Sequence, residues 1–140
     1  MAFDAAFSEL ASVLGDRLSR SKSDLDAHGG SETHFALAAP DAVAYPKTTD
    51  EVSRVMAICN THGVPVIAYG AGTSLEGHTS AIRGGLTLDF SRMTSILAIN
   101  QGDMDVVVQP GLTREDLNRE LRATGLFFSV DPGANASVGG

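Results

Sequence analysis

Apolar residues open the chain at helical spacing: Phe3, Phe7, Leu10, Ala11 and Leu14 share one face, and Gly15 closes the run. This spacing predicts a helix over Phe3–Leu14. From Ser21 to Pro40 no period is sustained and Gly29-Gly30 interrupts, which predicts an irregular crossing segment. Ala42-Val43-Ala44-Tyr45 reads as a short strand. Thr48 then stands three residues before Glu51 in the capping-box arrangement, starting a helix whose apolar stripe is Val52, Val55, Met56 and Cys59 and whose stop is Gly63. Val64–Ala68 is a short apolar run bounded by Gly and Pro, the pattern of a buried strand. Strand, helix and strand form one unit, for which a right-handed crossover is expected.

Further on, Leu86–Asp89 reads as a third strand after Gly84-Gly85. Ile96–Ile99 and Val106–Val108 read as two strands joined through Asn100-Gln101-Gly102-Asp103, a hairpin-like turn. Thr113-Arg114-Glu115-Asp116 starts another helix, with Leu112, Leu117 and Leu121 as its apolar residues and Gly125 as its end. Leu126-Phe127-Phe128 is read as a last strand. No internal repeat or low-complexity tract is evident.

The most informative stretch lies between the second and third strands. Ala68–Ala81 reads Ala-Tyr-Gly-Ala-Gly-Thr-Ser-Leu-Glu-Gly-His-Thr-Ser-Ala. Its glycines, Gly70, Gly72 and Gly77, free the backbone for close approach to a ligand, and Thr73, Ser74 and Thr79 add hydroxyl donors. A loop of this kind at a strand end can gather N–H groups around phosphate oxygens. The spacing Gly-x-Gly-x4-Gly fails the Rossmann fingerprint at its third glycine, and no Gly-Lys-Ser/Thr follows, which excludes the P-loop. A second glycine-rich loop, Asp131-Pro132-Gly133-Ala134-Asn135-Ala136-Ser137-Val138-Gly139-Gly140, ends the sequence. A segment built for close backbone approach is an unusual place for a domain to stop, so the chain is expected to be a piece of a longer protein.

Composition narrows the ligand class. The 140 residues suffice for one domain with a core, and 43% hydrophobic with 19% charged residues is a globular balance. A formal net charge of −7 argues against nucleic acid, which demands clustered Lys and Arg. No Lys or Arg lies between Pro65 and Ile82, with only Arg83 close by in sequence, so a phosphate there would be held by backbone dipoles and hydroxyls. Cys59 is the single cysteine, reads as a packing thiol, and precludes an internal disulfide or a cysteine-type zinc site. The acidic N-terminus lacks a secretory pattern, and no apolar run approaches the roughly 20 residues of a membrane span. Cytoplasmic location is the resulting expectation.

Several ordered blocks resemble the FAD-linked oxidases of the vanillyl-alcohol-oxidase type, in the branch of D-lactate dehydrogenase (cytochrome), glycolate oxidase FAD-linked subunits and D-2-hydroxyglutarate dehydrogenase. They are Pro40–Val43 through Glu51-Val52-Ser53, Pro65–His78, Gly85–Met93, Val106–Gly111, and Gly125–Phe128 into Asp131–Ala134. The resemblance implies an α+β fold of the PCMH-type FAD-binding kind, a small parallel sheet followed by an antiparallel one with helices. It divides the chain into residues 1–40, helix and crossing segment, and residues 41–140, the N-terminal part of an incomplete FAD-binding domain. By length the chain would be roughly a third of such an enzyme and inactive alone.

In that family the first loop grips the FAD pyrophosphate, which maps onto Gly70, Ala71, Gly72, Thr73, Ser74, Gly77 and His78. The second lies along the flavin and ribityl chain, mapping onto Pro132, Gly133, Ala134, Ser137, Val138, Gly139 and Gly140. Some relatives attach FAD covalently to a histidine near this loop; the Arg-Ser-Gly-Gly or Gly-Ser-Gly context is missing around His78, so non-covalent FAD is expected. The implied activity is oxidation of a D-2-hydroxy acid by hydride transfer to FAD, with the electrons passed to an acceptor. Catalytic residues are not assigned, because the substrate-facing segments of the family follow the point where this sequence stops.

Other readings weigh against further chemistry. Glu76 is expected to turn away from a pyrophosphate. His28, His34 and His62 lack partners at metal spacing and read as solvated or locally bonded; no metal is expected. Asp103 and Asp105 read as turn residues. Ser74 lacks a nucleophile elbow, which sets a hydrolase aside. The alternative function is a non-catalytic flavin- or nucleotide-binding module, or a remnant of one. Exposed sheet edges would allow a homo-oligomer.

Overall fold

A computed structural model of the chain describes residues 3–30 and 32–139. Helix α1, Asp4–Leu14, buries Ala6, Phe7, Leu10 and Leu14; Phe7, Leu10 and Leu14 are the expected face, while Ala11 is exposed and Ala6 is buried in its stead. The chain then runs through strand β1, Leu18–Ser19, helix α2, Lys22–Gly29, and strand β2, Ala42–Ala44. Helix α3 spans Thr49–His62, β3 Val66–Tyr69 and β4 Leu86–Asp89. A hairpin of β5, Ile96–Asn100, and β6, Asp105–Val108, precedes helix α4, Arg114–Leu121.

The first four strands form one sheet in the order β1-β2-β4-β3. β2, β4 and β3 run parallel, and β1 joins the edge antiparallel to β2. The strand–helix–strand unit therefore leaves a gap between β2 and β3, which β4 fills. Its residues Leu86–Asp89 are all buried, as a strand paired on both sides and covered must be. Ala42, Ala44, Leu86 and Leu88 join α1 and α3 in one core, with Val55, Ile58 and Cys59 contributed by α3. Met56, expected on that stripe, is instead 44% exposed, and Ile58 takes its place.

The start of α3 is held by more than its cap. Thr48 Oγ1 accepts from the Glu51 N–H at 3.2 Å, and Glu51 reaches back to the Lys47 N–H at 2.7 Å. Both Glu51 oxygens also accept from Arg17 at 2.6 Å. The Arg17 hydrogen bonds hold the Glu51 carboxyl down at about 2, against an ordinary 4.5. Gly63 ends the helix in the left-handed region (φ +65°), which a Cβ would disfavour.

α2 departs from the expected irregular stretch. Its only large apolar residue is Leu25, so no hydrophobic period announces it. It forms because Ser21 accepts from the Asp24 N–H at 3.2 Å, and because His28 docks on the sheet. The strand expected at Leu126–Phe128 does not form. The Asn118 amide of α4 takes up that backbone instead, its Oδ1 accepting from the Phe128 N–H at 2.6 Å and its Nδ2 donating to the Phe128 carbonyl at 3.2 Å. A side-chain amide thus meets both groups that a neighbouring strand would have satisfied.

A second, smaller core joins Leu112, Leu117 and Leu121 to Ile96, Val106, Val108 and Phe128. The hairpin turn lies at Gln101–Met104, one residue later than the expected start, with Asn100 Nδ2 donating to Asp105 Oδ1 at 2.6 Å. No helix among the described residues is long and apolar enough to cross a membrane.

Candidate functional site

Both glycine-rich loops spring from the regular elements just described. The first leaves β3 at Tyr69, where the register pairs Tyr69 with Asp89 of β4. The second is stitched to the segment that opens α4. Gly139 N–H donates to the Pro110 carbonyl (2.9 Å), Val138 N–H to Leu112 (2.8 Å) and Arg114 N–H to Ala136 (3.0 Å), and Thr113 bridges to Ser137. These bonds hold the second loop opposite the first. Between them lies a cavity of about 340 Å³.

Its wall contains Gly70, Ala71, Gly72, Thr73, Ser74 and His78 from the first loop, and Pro132, Ala134, Ser137 and Val138 from the second. Gly77 does not line it; this glycine faces the Phe35 ring. Gly133 turns through φ +81° outside the wall. Gly139 lines a smaller adjoining cavity of about 130 Å³, whose wall also includes Gly70 and His78. Gly140 lies outside the described residues. Glu76 is exposed and absent from the wall, turned away as electrostatics requires.

Arg114, Phe128, Val130 and Ala136 complete the wall, and sequence reasoning missed all four. Arg114 adds a cation to a wall whose two glycine-rich loops carry none. It stands far along the chain from Gly70–Gly77, and only the bonds between α4 and the second loop bring it there. Arg83, the cation nearest in sequence, is not part of the wall. Two wall residues carry buried polar atoms without a partner in the protein: Arg114 Nε and Ser137 Oγ. Such orphaned donors are rare in native structures and mark places where a ligand's acceptors fit.

Gly72 sits at φ +68°, and a Cβ there would overlap the Tyr69 hydroxyl. The loop thus folds back over the ring of the strand that launches it. Tyr69 in turn packs on His28, their ring centroids 4.5 Å apart. His28, expected to be solvated or locally bonded, is buried, with Nε2 2.7 Å from Asp89 Oδ2 and Nδ1 2.8 Å from the Asp24 carbonyl. The Asp89 hydrogen bond raises the imidazole pKa above its ordinary 6.5 despite burial. Burial pushes Asp89 up, but hydrogen bonds from His28 and Ser91 outweigh it and leave the carboxyl below its ordinary 3.8. His62 is bonded to Glu9 at 3.0 Å, and His34 stacks on Phe35. Burial also drives the Cys59 thiol up to about 11, which suits a packing residue. Among the described residues no group of three or more His, Cys, Asp or Glu could hold a metal ion.

A family model described as an FAD-binding domain matches residues 40–140, a span that contains both loops and Arg114. The chain belongs to this FAD-binding domain family. It is 42% identical over 135 residues to "D-lactate dehydrogenase [cytochrome], mitochondrial" of Arabidopsis thaliana, an alignment covering 95% of this chain and 24% of the relative. It is also 42% identical over 103 residues to glycolate oxidase subunit GlcD of Bacillus subtilis, covering 72% of this chain and 22% of that protein. The chain therefore spans about a quarter of the length of the curated relatives it matches.

Solved structures agree on the fold. An alkyldihydroxyacetonephosphate synthase superposes with a TM-score of 0.87 at 22% identity, over 96% of this chain and 28% of that one. The 4-ethylphenol oxidase from Gulosibacter chungangensis gives 0.80 at 26%, over 94% and 26%. The fold of this FAD-binding domain is thus the α+β arrangement expected, with its parallel sheet first and the antiparallel hairpin after it.

The residues present fit FAD. Hydroxyls of Thr73 and Ser74 stand in the wall with the unpartnered Ser137 Oγ and Arg114 Nε, while Phe128, Val130 and Val138 line it with apolar surface. A wall with polar donors for phosphates and apolar side chains for a ring system suits a dinucleotide.

Proposed function

We propose that this chain is the FAD-binding portion of a flavin-dependent oxidoreductase that oxidises a D-2-hydroxy acid of the lactate, glycolate or 2-hydroxyglutarate class, with residues 41–140 carrying the flavin site. The observation that carries this reading is the cavity walled by both glycine-rich loops, with its two orphaned donors. The names of the Arabidopsis and Bacillus relatives point to lactate and glycolate, and 2-hydroxyglutarate is added by the family resemblance.

When bound, FAD supplies the hydride-accepting chemistry. The chain's own residues bind and orient it. Gly72 lets the backbone pass close to the ligand, and Thr73, Ser74 and Ser137 offer hydroxyl donors. Phe128, Val130 and Val138 offer apolar surface on one side of the cavity. His78, which walls both cavities, holds the ligand by position or hydrogen bond rather than by a covalent link. The groups that meet the hydroxy acid and the electron acceptor are assigned to the remaining length of such an enzyme. For location the reading is cytoplasmic, from the acidic N-terminus without a secretory pattern; the Arabidopsis relative is named mitochondrial.

The test is to purify the longest natural form and record its visible spectrum with and without added FAD. A flavin spectrum that bleaches anaerobically with D-lactate, glycolate or D-2-hydroxyglutarate is expected, and acid precipitation should release the colour into solution. A protein that stays colourless and binds no added FAD would overturn the flavin reading. Bound FAD that none of these acids reduces would overturn the substrate class, and colour that stays with the pellet would overturn non-covalent binding.

A further inference from the structure

We propose that Arg114 is the cation that meets the phosphates of the bound dinucleotide, and that Asp131 is its internal counter-ion, exchanged for those phosphates on binding. This rests on the FAD reading above and deepens it by assigning the charge balance of the site.

The argument begins with position. Arg114 opens α4, and its own N–H is bonded to Ala136 of the second loop at 3.0 Å. The residue lines the cavity wall, and it also borders a second cavity with Glu115, Asn118, Arg119 and Arg122. Among the described residues of the wall between the two loops it is the only Lys or Arg. In a protein of net charge −7, two phosphate charges would otherwise meet only dipoles and hydroxyls.

The hydrogen bonding of the guanidinium is incomplete. Nε is shielded from solvent and has no partner, although arginine presents its donors as a planar fork suited to phosphate oxygens. The Asp131 carboxylate lies 3.4 Å from Nη1, longer than the roughly 2.7–2.9 Å of a good charge-assisted bond. Asp131 itself is 59% exposed, while the Arg114 side chain is only 24% exposed. Asp131 Oδ1 also accepts from the Gly133 N–H of its own loop at 3.0 Å, so the carboxylate keeps a local partner and water when it leaves the arginine, whereas the less exposed arginine needs a new acceptor.

A second, independent observation points to a ligand at the same place. Ser137 is 93% buried by its 7% exposure, its Oγ has no partner, and it lines the same cavity. Arg114 and Ser137 are held together by the Thr113–Ser137 bridge and the Arg114–Ala136 bond. Two donors left open on neighbouring stretches of one wall are groups that a phosphate, with its several acceptor oxygens, can meet. A phosphate arriving beside Asp131 would be repelled by it, so binding and release of the carboxylate are coupled.

The experiment titrates FAD and riboflavin, which lacks phosphates, into the longest natural form and its Arg114→Gln, Arg114→Lys and Asp131→Asn variants, at low and high salt. Arg114→Gln should weaken FAD roughly 10- to 100-fold, as loss of a charged hydrogen-bonding partner does. Riboflavin binding should stay within about threefold, because it does not engage the cation. The salt dependence of FAD binding should flatten in Arg114→Gln, Arg114→Lys should recover part of the affinity, and Asp131→Asn should bind FAD more tightly than the unaltered protein.

Arg114→Gln binding FAD as tightly as the unaltered protein would overturn the proposal. Equal losses for FAD and riboflavin, or a loss in Asp131→Asn as large as in Arg114→Gln, would overturn it as well, since they would make the pair a structural tie. If Arg114→Gln does not fold, Asp131→Asn and Arg114→Lys still decide the question. An unaltered protein that binds no FAD overturns the flavin reading itself, and this one with it.

Discussion

His28 Nε2 lies 2.7 Å from Asp89 Oδ2, joining α2 to the end of β4 across 61 residues of sequence. Both side chains are at least nine-tenths buried. The pair stands under Tyr69, and Tyr69 stands under the loop at Gly72. The support of the first glycine-rich loop is therefore a chain of contacts that begins at an element without a hydrophobic period.

The pH dependence of stability follows from the two shifts. His28 has a raised pKa, so its contribution is complete below 6.5 and is lost as pH rises through the raised value. Asp89 has a lowered pKa, so its contribution is complete above 3.8 and is lost as pH falls through the lowered value. The pair is strongest between these limits. We expect Asp89→Asn to lose about 1–3 kcal/mol near pH 6, because it leaves the buried imidazole poorly partnered. Denaturant melts of both proteins from pH 5 to pH 9 check this. A difference between them that does not shrink toward high pH would refute the assignment.

Glu51 tests a separate region. Its carboxyl accepts from Arg17 and from the Lys47 amide and is held at about 2, so its stabilising contribution is present above 4.5 and disappears as pH falls toward about 2. Glu51→Gln should lower stability at neutral pH by about 1–2 kcal/mol. The loss should vanish below about pH 2, where the natural glutamate is itself protonated. FAD affinity should be unchanged, since Glu51 is not part of the cavity wall. Thermal melts and a flavin titration give both readouts.

Gly72→Val probes the loop itself. Valine is disfavoured at φ +68° and would also drive the Tyr69 hydroxyl aside. We expect FAD affinity to fall at least about 100-fold, as misplacing a whole donor loop removes more than one hydrogen bond. Far-UV circular dichroism should change little. Gly63→Ala, which shares the positive φ at the end of α3 with open space around it, should cost stability but leave affinity intact. Wild-type affinity in Gly72→Val would remove this loop from the ligand site.

Read alone, the sequence determined most of the regular elements and both loops. The α1 and α3 stripes, the Thr48 cap, the short apolar strands and the glycine spacing are local signals, because backbone preference and one-sided burial act within a few residues. Ten of the fourteen residues singled out line one cavity wall, although the bonds that set the two loops face to face are tertiary. Tertiary structure decided what depends on distant partners. α2 needs His28 to reach Asp89, Leu126–Phe128 is diverted by the Asn118 amide, and β4 enters between β2 and β3. Arg114 becomes a site residue only because the second loop is bonded along the start of α4. A side chain's local sequence encodes its reach and charge, but the packed backbone sets which cavity it faces.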